Sequence, residues 1–187
     1  IKAVESTFIN GLNVKPEDIV VCGKTGTVTF DDVVNELNRL TEASEPEDTV
    51  LFYFSGHGTT DHNKHCCLAL SDSLLDTQNI IEYFENNASK SKVLFLDCCH
   101  AGAISVESSP VFDINETVNE FAGKGYAVFA SCSSEQVSGF NPLRNLSLFT
   151  CFLCDALSSR LTIREGKKTL NDIHSWLFML LGNWNKK

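Results

Sequence analysis

The sequence predicts an α/β fold built on a mostly parallel sheet, and three features carry that prediction. Thr49–Ser55 and Lys92–Asp97 are continuous apolar, β-prone runs, the pattern of strands covered on both faces. Around them lie stretches whose apolar residues recur at helical spacing. Strands alternating with helices imply parallel pairing, because each helix returns the chain to start the next strand in the same direction. With 187 residues, 43% apolar and 21% charged, the chain has the composition of one ordinary globular domain, which excludes wholesale disorder and a coiled coil.

The elements follow in order. Ile1, Val4, Phe8, Ile9 and Leu12 form a helical stripe with no cap before it and no initiator Met, so the sequence is expected to open inside a helix and to be an excerpt of a longer protein. Asp18–Cys22 predicts a short buried strand and Lys24–Thr27 a turn. Thr29 is placed to cap a helix over Asp31–Thr41, with Val33, Val34, Leu37 and Leu40 on its apolar face. The acidic loop Ser44–Asp48 leads into the first apolar strand. Cys66–Leu70 adds a short strand, Leu74–Phe84 a helix, Lys92–Asp97 the second apolar strand and Tyr126–Ser131 a third. Asn115–Ala122, Leu148–Leu157 and Leu170–Leu181 read as helices. Ala103–Asn115, rich in Ser, Pro and acid, marks a seam between a larger N-terminal part and a smaller C-terminal one.

Charge and cysteine usage narrow the function classes. Fifteen basic against 24 acidic side chains give a net charge of −9, which argues against direct nucleic-acid binding, since that rests on clustered Lys and Arg. The apolar runs are too short to cross a bilayer, so no membrane partner is expected, and no signal peptide is visible. Eight cysteines, at 22, 66, 67, 98, 99, 132, 151 and 154, lie mostly inside or beside apolar segments, and two pairs are vicinal. They read as reduced thiols in a cytoplasmic protein, several acting as small hydrophobes. His57, His62, His65, Cys66 and Cys67 are close in sequence but fit neither C-x-x-C pairing nor H-E-x-x-H, so no metal ligands are assigned. Gly23-Lys24-Thr25 fails as a phosphate loop because the required earlier Gly falls at Asp18.

Two strands end in reactive side chains. One reads Leu51-Phe52-Tyr53-Phe54-Ser55-Gly56-His57-Gly58, the other Val93-Leu94-Phe95-Leu96-Asp97-Cys98-Cys99-His100-Ala101-Gly102. In open α/β sheets functional groups collect at the carboxyl ends of strands. His57 and Cys99 follow their strands by similar offsets, so neighbouring strands would present both at one rim. The glycines beside them allow sharp turns and close approach of backbone N–H groups to a bound carbonyl.

Phe54-Ser55-Gly56-His57-Gly58 and Asp97-Cys98-Cys99-His100-Ala101-Gly102 resemble the His and Cys motifs of the caspase-type cysteine peptidases, with the metacaspases and their bacterial, orthocaspase-type relatives as the closest match. Ala130-Ser131-Cys132-Ser133-Ser134-Glu135-Gln136-Val137-Ser138, followed by Leu148-Phe149-Thr150, resembles the start of the small, p10-like portion. The 42 residues between His57 and Cys99 sit near the roughly 50 expected for caspase-type enzymes.

The resemblance implies a caspase-like sandwich, helices on both faces of a mostly parallel central sheet, with the first strand expected to be missing from this sequence. It makes 1–187 a single peptidase domain: a p20-like portion over 1–102, a connecting loop and helix over 103–122, and a p10-like portion over 123–187. It implies Cys99 as nucleophile, His57 as general base and acid, an inert Cys98, and a packing role for His100. An oxyanion hole would come from the backbone N–H groups of Gly58 and Cys99. Ser55 and Asp97 match positions at which metacaspases bind a substrate Arg or Lys, which a carboxylate can take in bidentate fashion. Gly139 and Phe140 stand where metacaspases often carry an acid, and Arg144 keeps an Asp-specific pocket as the alternative.

No Lys or Arg occurs between Lys92 and Lys124, so an enzyme specific for basic residues could not cut itself in the connecting loop. An uncleaved chain is therefore expected, controlled by a regulatory domain or activating partner outside this sequence. Some metacaspases need calcium, but no calcium-loop spacing is present, so no cofactor is assigned and calcium activation is left without a site. The expected partner is a protein or peptide substrate. The alternative from another class is a catalytically silent module that binds proteins.

Overall fold

The computed structural model describes residues 1–63, 65–100, 118–119, 123–131, 139–164 and 167–184, with the backbone alone for Cys99, His100 and Arg164. The chain divides into two compact units, Cys22–Val137 and Ile1–Val21 with Ser138–Lys187. The expected seam at Ala103–Asn115, most of the expected helix Asn115–Ala122, and Cys132–Ser138 of the third motif lie outside the described residues.

The unit Cys22–Val137 is built on a five-stranded sheet of order β3-β2-β1-β4-β5. Its strands are β1 (Thr49–Thr60), β2 (Cys66–Ala69), β3 (Leu74–Asp76), β4 (Ser91–His100) and β5 (Ala127–Ala130). β1, β4 and β5 are mutually parallel, while β2 and β3 fold back antiparallel on the β1 side. The β1–β4 ladder runs from Thr49↔Ser91 to Gly58↔His100 without a bulge. β4 lies between β1 and β5, and Val93, Leu94, Phe95, Leu96, Asp97 and Cys98 are all buried, as its unbroken apolar run requires.

Two helices supply the core on one face. α2 (Phe30–Ala43) starts at Thr29, whose hydroxyl accepts from the Asp32 N–H while the Asp32 carboxylate accepts from the Thr29 N–H, a complete capping box. α3 (Thr77–Asn86) is capped by Asp76, whose Oδ1 accepts from the Gln78 N–H at 2.9 Å. Val33 and Leu37 of α2 and Ile80, Ile81 and Phe84 of α3 pack with Leu68, Leu75, Leu94, Leu96 and Cys98. Phe84 meets Phe52 and Tyr126 edge-on, with ring centroids 6.5 and 5.5 Å apart.

The entry to β4 is fixed by polar contacts. The Ser89 hydroxyl donates to the Asp48 carbonyl at 2.7 Å and accepts from the Ser91 N–H at 3.2 Å. Asn87 Oδ1 accepts from the Ser89 N–H, and Lys92 Nζ donates to the carbonyls of Asn87 and Ser89. Together these bonds tie the starts of β1 and β4 to each other.

Two expectations are corrected. Asp18–Cys22 is no strand: Pro16–Asp18 forms a 3₁₀ turn, Val20 is 42% exposed, and the chain turns from Cys22 through Gly23 and Gly26, both at positive φ. Pro16 presets the turn, and the apolar stretch Ile19–Cys22 that follows finds no partner strand among the described residues before the chain turns at Gly23. Leu74–Phe84 is not all helix, because Leu74–Asp76 pairs with β2 and the helix starts at Thr77.

In the other unit, α1 (Lys2–Leu12) packs on α4 (Leu148–Ser158), and α5 (Leu170–Trp184) also packs on α4. A Cβ at Gly11 would stand 2.7 Å from the Leu157 carbonyl oxygen, so only glycine permits this approach of α1 to α4. Lys168 Nζ donates to the Gly11 and Leu157 carbonyls and fastens the junction. Two hairpins, β6 (Phe140–Asn141) with β7 (Leu146–Ser147) and β8 (Ile163–Arg164) with β9 (Lys167–Lys168), flank α4 in sequence. No helix among the described residues is long and apolar enough to cross a membrane.

Thr29→Ala should lower stability by about 1 kcal/mol in urea unfolding followed by circular dichroism, with Thr29→Ser keeping most of it. Gly11→Ala should cost more, about 2 kcal/mol or above, because backbone rather than a flexible side chain blocks the new methyl. A neutral Gly11→Ala would refute the close approach.

Candidate active site

The parallel register of β1 and β4 sets the site. It pairs Ser55 with Asp97, Gly56 with Cys98, His57 with Cys99 and Gly58 with His100. Neighbouring strands lie about 4.8 Å apart, so His57 and Cys99 stand side by side at the carboxyl ends of adjacent parallel strands. The His57 side chain is exposed.

Alternation along the strands separates two chemistries. Phe54, Leu96 and Cys98 belong to the core under α2 and α3, and the Cys98 thiol is 1% exposed there. Ser55, His57 and Asp97 occupy the opposite-facing positions. The Ser55 hydroxyl lies 3.4 Å from Asp97 Oδ2, and Asp97 is 4% exposed. A carboxylate buried to this degree exerts its charge with little screening.

A Cβ at Gly56 would stand 2.7 Å from Cζ of Phe54, the far end of a side chain, so the ring would have to turn aside to admit it. Gly58 is buried and lies in two ladders, paired with Leu68 of β2 and with His100 of β4.

Arg144, the residue behind the Asp-specific alternative, has its guanidinium engaged: Nη1 donates to Asp155 Oδ1 at 2.7 Å and to the Cys151 carbonyl at 3.5 Å. The Asp155 bond, outweighing partial burial, raises the pKa of Arg144 further.

Sequence reasoning grouped His65 with Cys66 and Cys67. The structure instead turns His65 Nδ1 toward two carboxylates, 3.4 Å from Asp61 Oδ2 and 3.3 Å from Asp76 Oδ2. Asp76 escaped notice because its segment read as helix interior. Cys67 is 2% exposed, and burial together with the Asp76 and Asp61 charges pushes its thiol up to about 11. Asp61 is lowered although desolvation opposes it, because the His65 and Asn63 N–H groups and the His65 and His62 charges prevail. Cys22, Cys66, Cys67, Cys98, Cys151 and Cys154 are free thiols.

No curated protein matches the sequence. The family model for the caspase domain matches residues 2–176, nearly the whole chain. That match joins a mostly parallel sheet whose adjacent strands end in His57 and Cys99, and the chain accordingly belongs to the caspase-domain family of cysteine peptidases.

Proposed function

We propose that this protein is a cysteine endopeptidase of metacaspase type, cleaving after Arg or Lys with Cys99 as nucleophile and His57 as general base and acid. The observation that carries the reading is the register pairing of His57 with Cys99 at the ends of two adjacent parallel strands. A free thiol is only a few per cent thiolate near neutrality, so the imidazole next to it has a task. His57 takes the Cys99 proton as sulfur attacks the scissile carbonyl, then gives that proton to the leaving amine. Water, deprotonated by the same imidazole, hydrolyses the thioester and frees Cys99. Backbone N–H groups of Gly58 and Cys99 hold the oxyanion, which requires the Gly58 N–H to face the substrate rather than a neighbouring strand.

The choice of a basic residue at the cleaved position rests on Ser55 and Asp97. Their 3.4 Å contact puts a buried carboxylate two register positions before the His57–Cys99 pair. A guanidinium or ammonium gains there from charge-assisted hydrogen bonds, and an aspartate side chain is repelled. Arg144, spoken for by Asp155, is a poor candidate for binding a substrate carboxylate. The absence of Lys and Arg between Lys92 and Lys124 then leaves the connecting loop uncut by the enzyme's own specificity. The cytoplasm, where thiols stay reduced, is the compartment this chemistry suits.

Peptide substrates differing only at the cleaved position should be hydrolysed when it is Arg or Lys and left intact when it is Asp. Cleavage after Asp alone would sink the Asp97 pocket. Asp97→Asn should lower kcat/KM for the Arg peptide by roughly 10- to 100-fold, the worth of a hydrogen bond to a charged group. Cys99→Ala should abolish turnover, while Cys98→Ala keeps it. Failure of every peptide under all activating conditions would favour a silent binding module.

Thiol accessibility offers a check that needs no substrate. In native protein at neutral pH, iodoacetamide should spare Cys67 and Cys98 and alkylate Cys99, as read by peptide mass spectrometry. Labelling of Cys98 at the rate of a free thiol would overturn the assignment of the nucleophile.

A further inference from the structure

We propose that Ser131 is a positioning residue for the peptidase reaction, a role that rests on the function proposed above: it clasps the end of β4 and holds the peptide unit that carries Cys99. β5 ends at Ala130, and the last pair of the β4–β5 ladder is Leu96↔Ala130. β4 continues to His100, with β1 paired to it as far as Gly58↔His100. Among the described residues, ladder pairing therefore holds the Cys98–Cys99 segment on its β1 side only.

Ser131 takes over where β5 stops. Its N–H donates to the Leu96 carbonyl at 2.9 Å, and its hydroxyl donates to the Cys98 carbonyl at 3.3 Å. Carbonyls alternate in direction along a strand, so these two are consecutive acceptors on the β5 edge of β4. One residue grips both. Any residue except proline would keep the first bond, since the backbone makes it. The second needs a side-chain donor of this reach, and Ser131 supplies it directly after the apolar run Ala127–Ala130. Ser131 is half-buried, so the bond competes with less water than an exposed one would.

The grip acts through the planarity of the peptide bond. The Cys98 carbonyl shares a rigid plane with the Cys99 N–H and the Cys99 Cα. Fixing the oxygen therefore sets the direction in which both leave the strand. Those two atoms are the proposed oxyanion donor and the root of the proposed nucleophile. A misplacement of about 1 Å between reacting groups can cost roughly 100-fold in rate, so even a modest loosening of this plane reaches the sulfur. One register step past Leu96↔Ala130 also brings Ser131 level with Asp97, across β4 from Ser55.

The test compares Ser131→Ala and Ser131→Thr with wild type on a peptide carrying Arg at the cleaved position. Ser131→Ala should lower kcat about 5- to 10-fold and leave KM within about twofold, because the hydroxyl acts through Cys99 and not on bound substrate. Ser131→Thr keeps a hydroxyl and should restore most of kcat. Alkylation of Cys99 by iodoacetamide gives a readout without substrate. In Ser131→Ala its rate at neutral pH should fall several-fold, and the difference should close at a pH where the thiol is fully ionised. A wild-type kcat in Ser131→Ala, an equal loss in Ser131→Thr, or an alkylation profile superimposable on wild type would each overturn the positioning role. A loss confined to KM would overturn it too, by making Ser131 a wall of the Asp97 pocket. If wild type cleaves no peptide, the peptidase reading fails by itself, and the alkylation profiles still decide whether Ser131 positions Cys99.

Discussion

The parallel register of β1 on β4 is the constraint on which the rest depends. A strand's side chains alternate with period two, so a slip of one residue would exchange its two faces. Phe52, Phe54, Leu94, Leu96 and Cys98 would then leave the core under α2 and α3, and Asp97 would enter it. Burying that carboxylate among Val33, Leu37, Ile80 and Phe84 would cost far more than the lost apolar contacts alone. The hydroxyl of Ser89 and the amine of Lys92 fix the same register from the other end, where the two strands begin. Hydrophobic packing and a few buried hydrogen bonds thus determine which residue stands beside His57. The chemistry at the rim inherits its alignment from the core.

The strands that carry the site were legible because both are spelled as unbroken apolar runs, β4 buried over Val93–Cys98 and β1 half-buried over Leu51–Phe54. Their ends were not. β1 runs through Thr60, beyond the apolar stretch that stops at Ser55, because Gly58, Thr59 and Thr60 are held by pairing with β2 as well as with β4. Hydrogen bonds between backbones leave no mark on composition. β3 was invisible for a related reason: Leu74, Leu75 and Asp76 form only three residues, and a helix follows at once. Asp18–Cys22 failed in the opposite sense, an apolar segment with a strand-like look and no partner strand.

At the site, the matched offsets of His57 and Cys99 from their strands were readable directly, and the ladder pairs the two residues. The roles of Ser55, Asp97 and Gly58 came only with the resemblance, since nothing in a Ser or an Asp near a strand end announces a pocket. The grouping of His65 with two acids depends on where β3 stops, and no spacing rule contains Asp76. The cysteines divide along the same line between local and global information. Cys98 and Cys99 are neighbours of one type in one motif, and alternation in the strand sends the Cys98 thiol into the core. Cys67 is likewise shielded, by burial and by two carboxylates that hold its proton in place.

The net charge of −9, which at first only argued against nucleic acid, acquires a direction under the proposed reading. An acidic protein attracts cationic peptides over distances up to a Debye length, about 8 Å at physiological ionic strength, and repels acidic ones. Steering of that kind is weak and non-specific, so it raises the encounter rate without choosing the bond to be cut. The choice falls to a single carboxylate, Asp97, fixed by the register and buried where salt screens it little. Arg144 illustrates the converse: its charge is spent on Asp155 within its own helical unit. A substrate aspartate would have to displace that partner against the field of the whole molecule, whereas a substrate arginine moves with the field toward Asp97. Under the proposed reading, long-range and short-range electrostatics therefore act in the same direction, both toward a basic residue at the cleaved position.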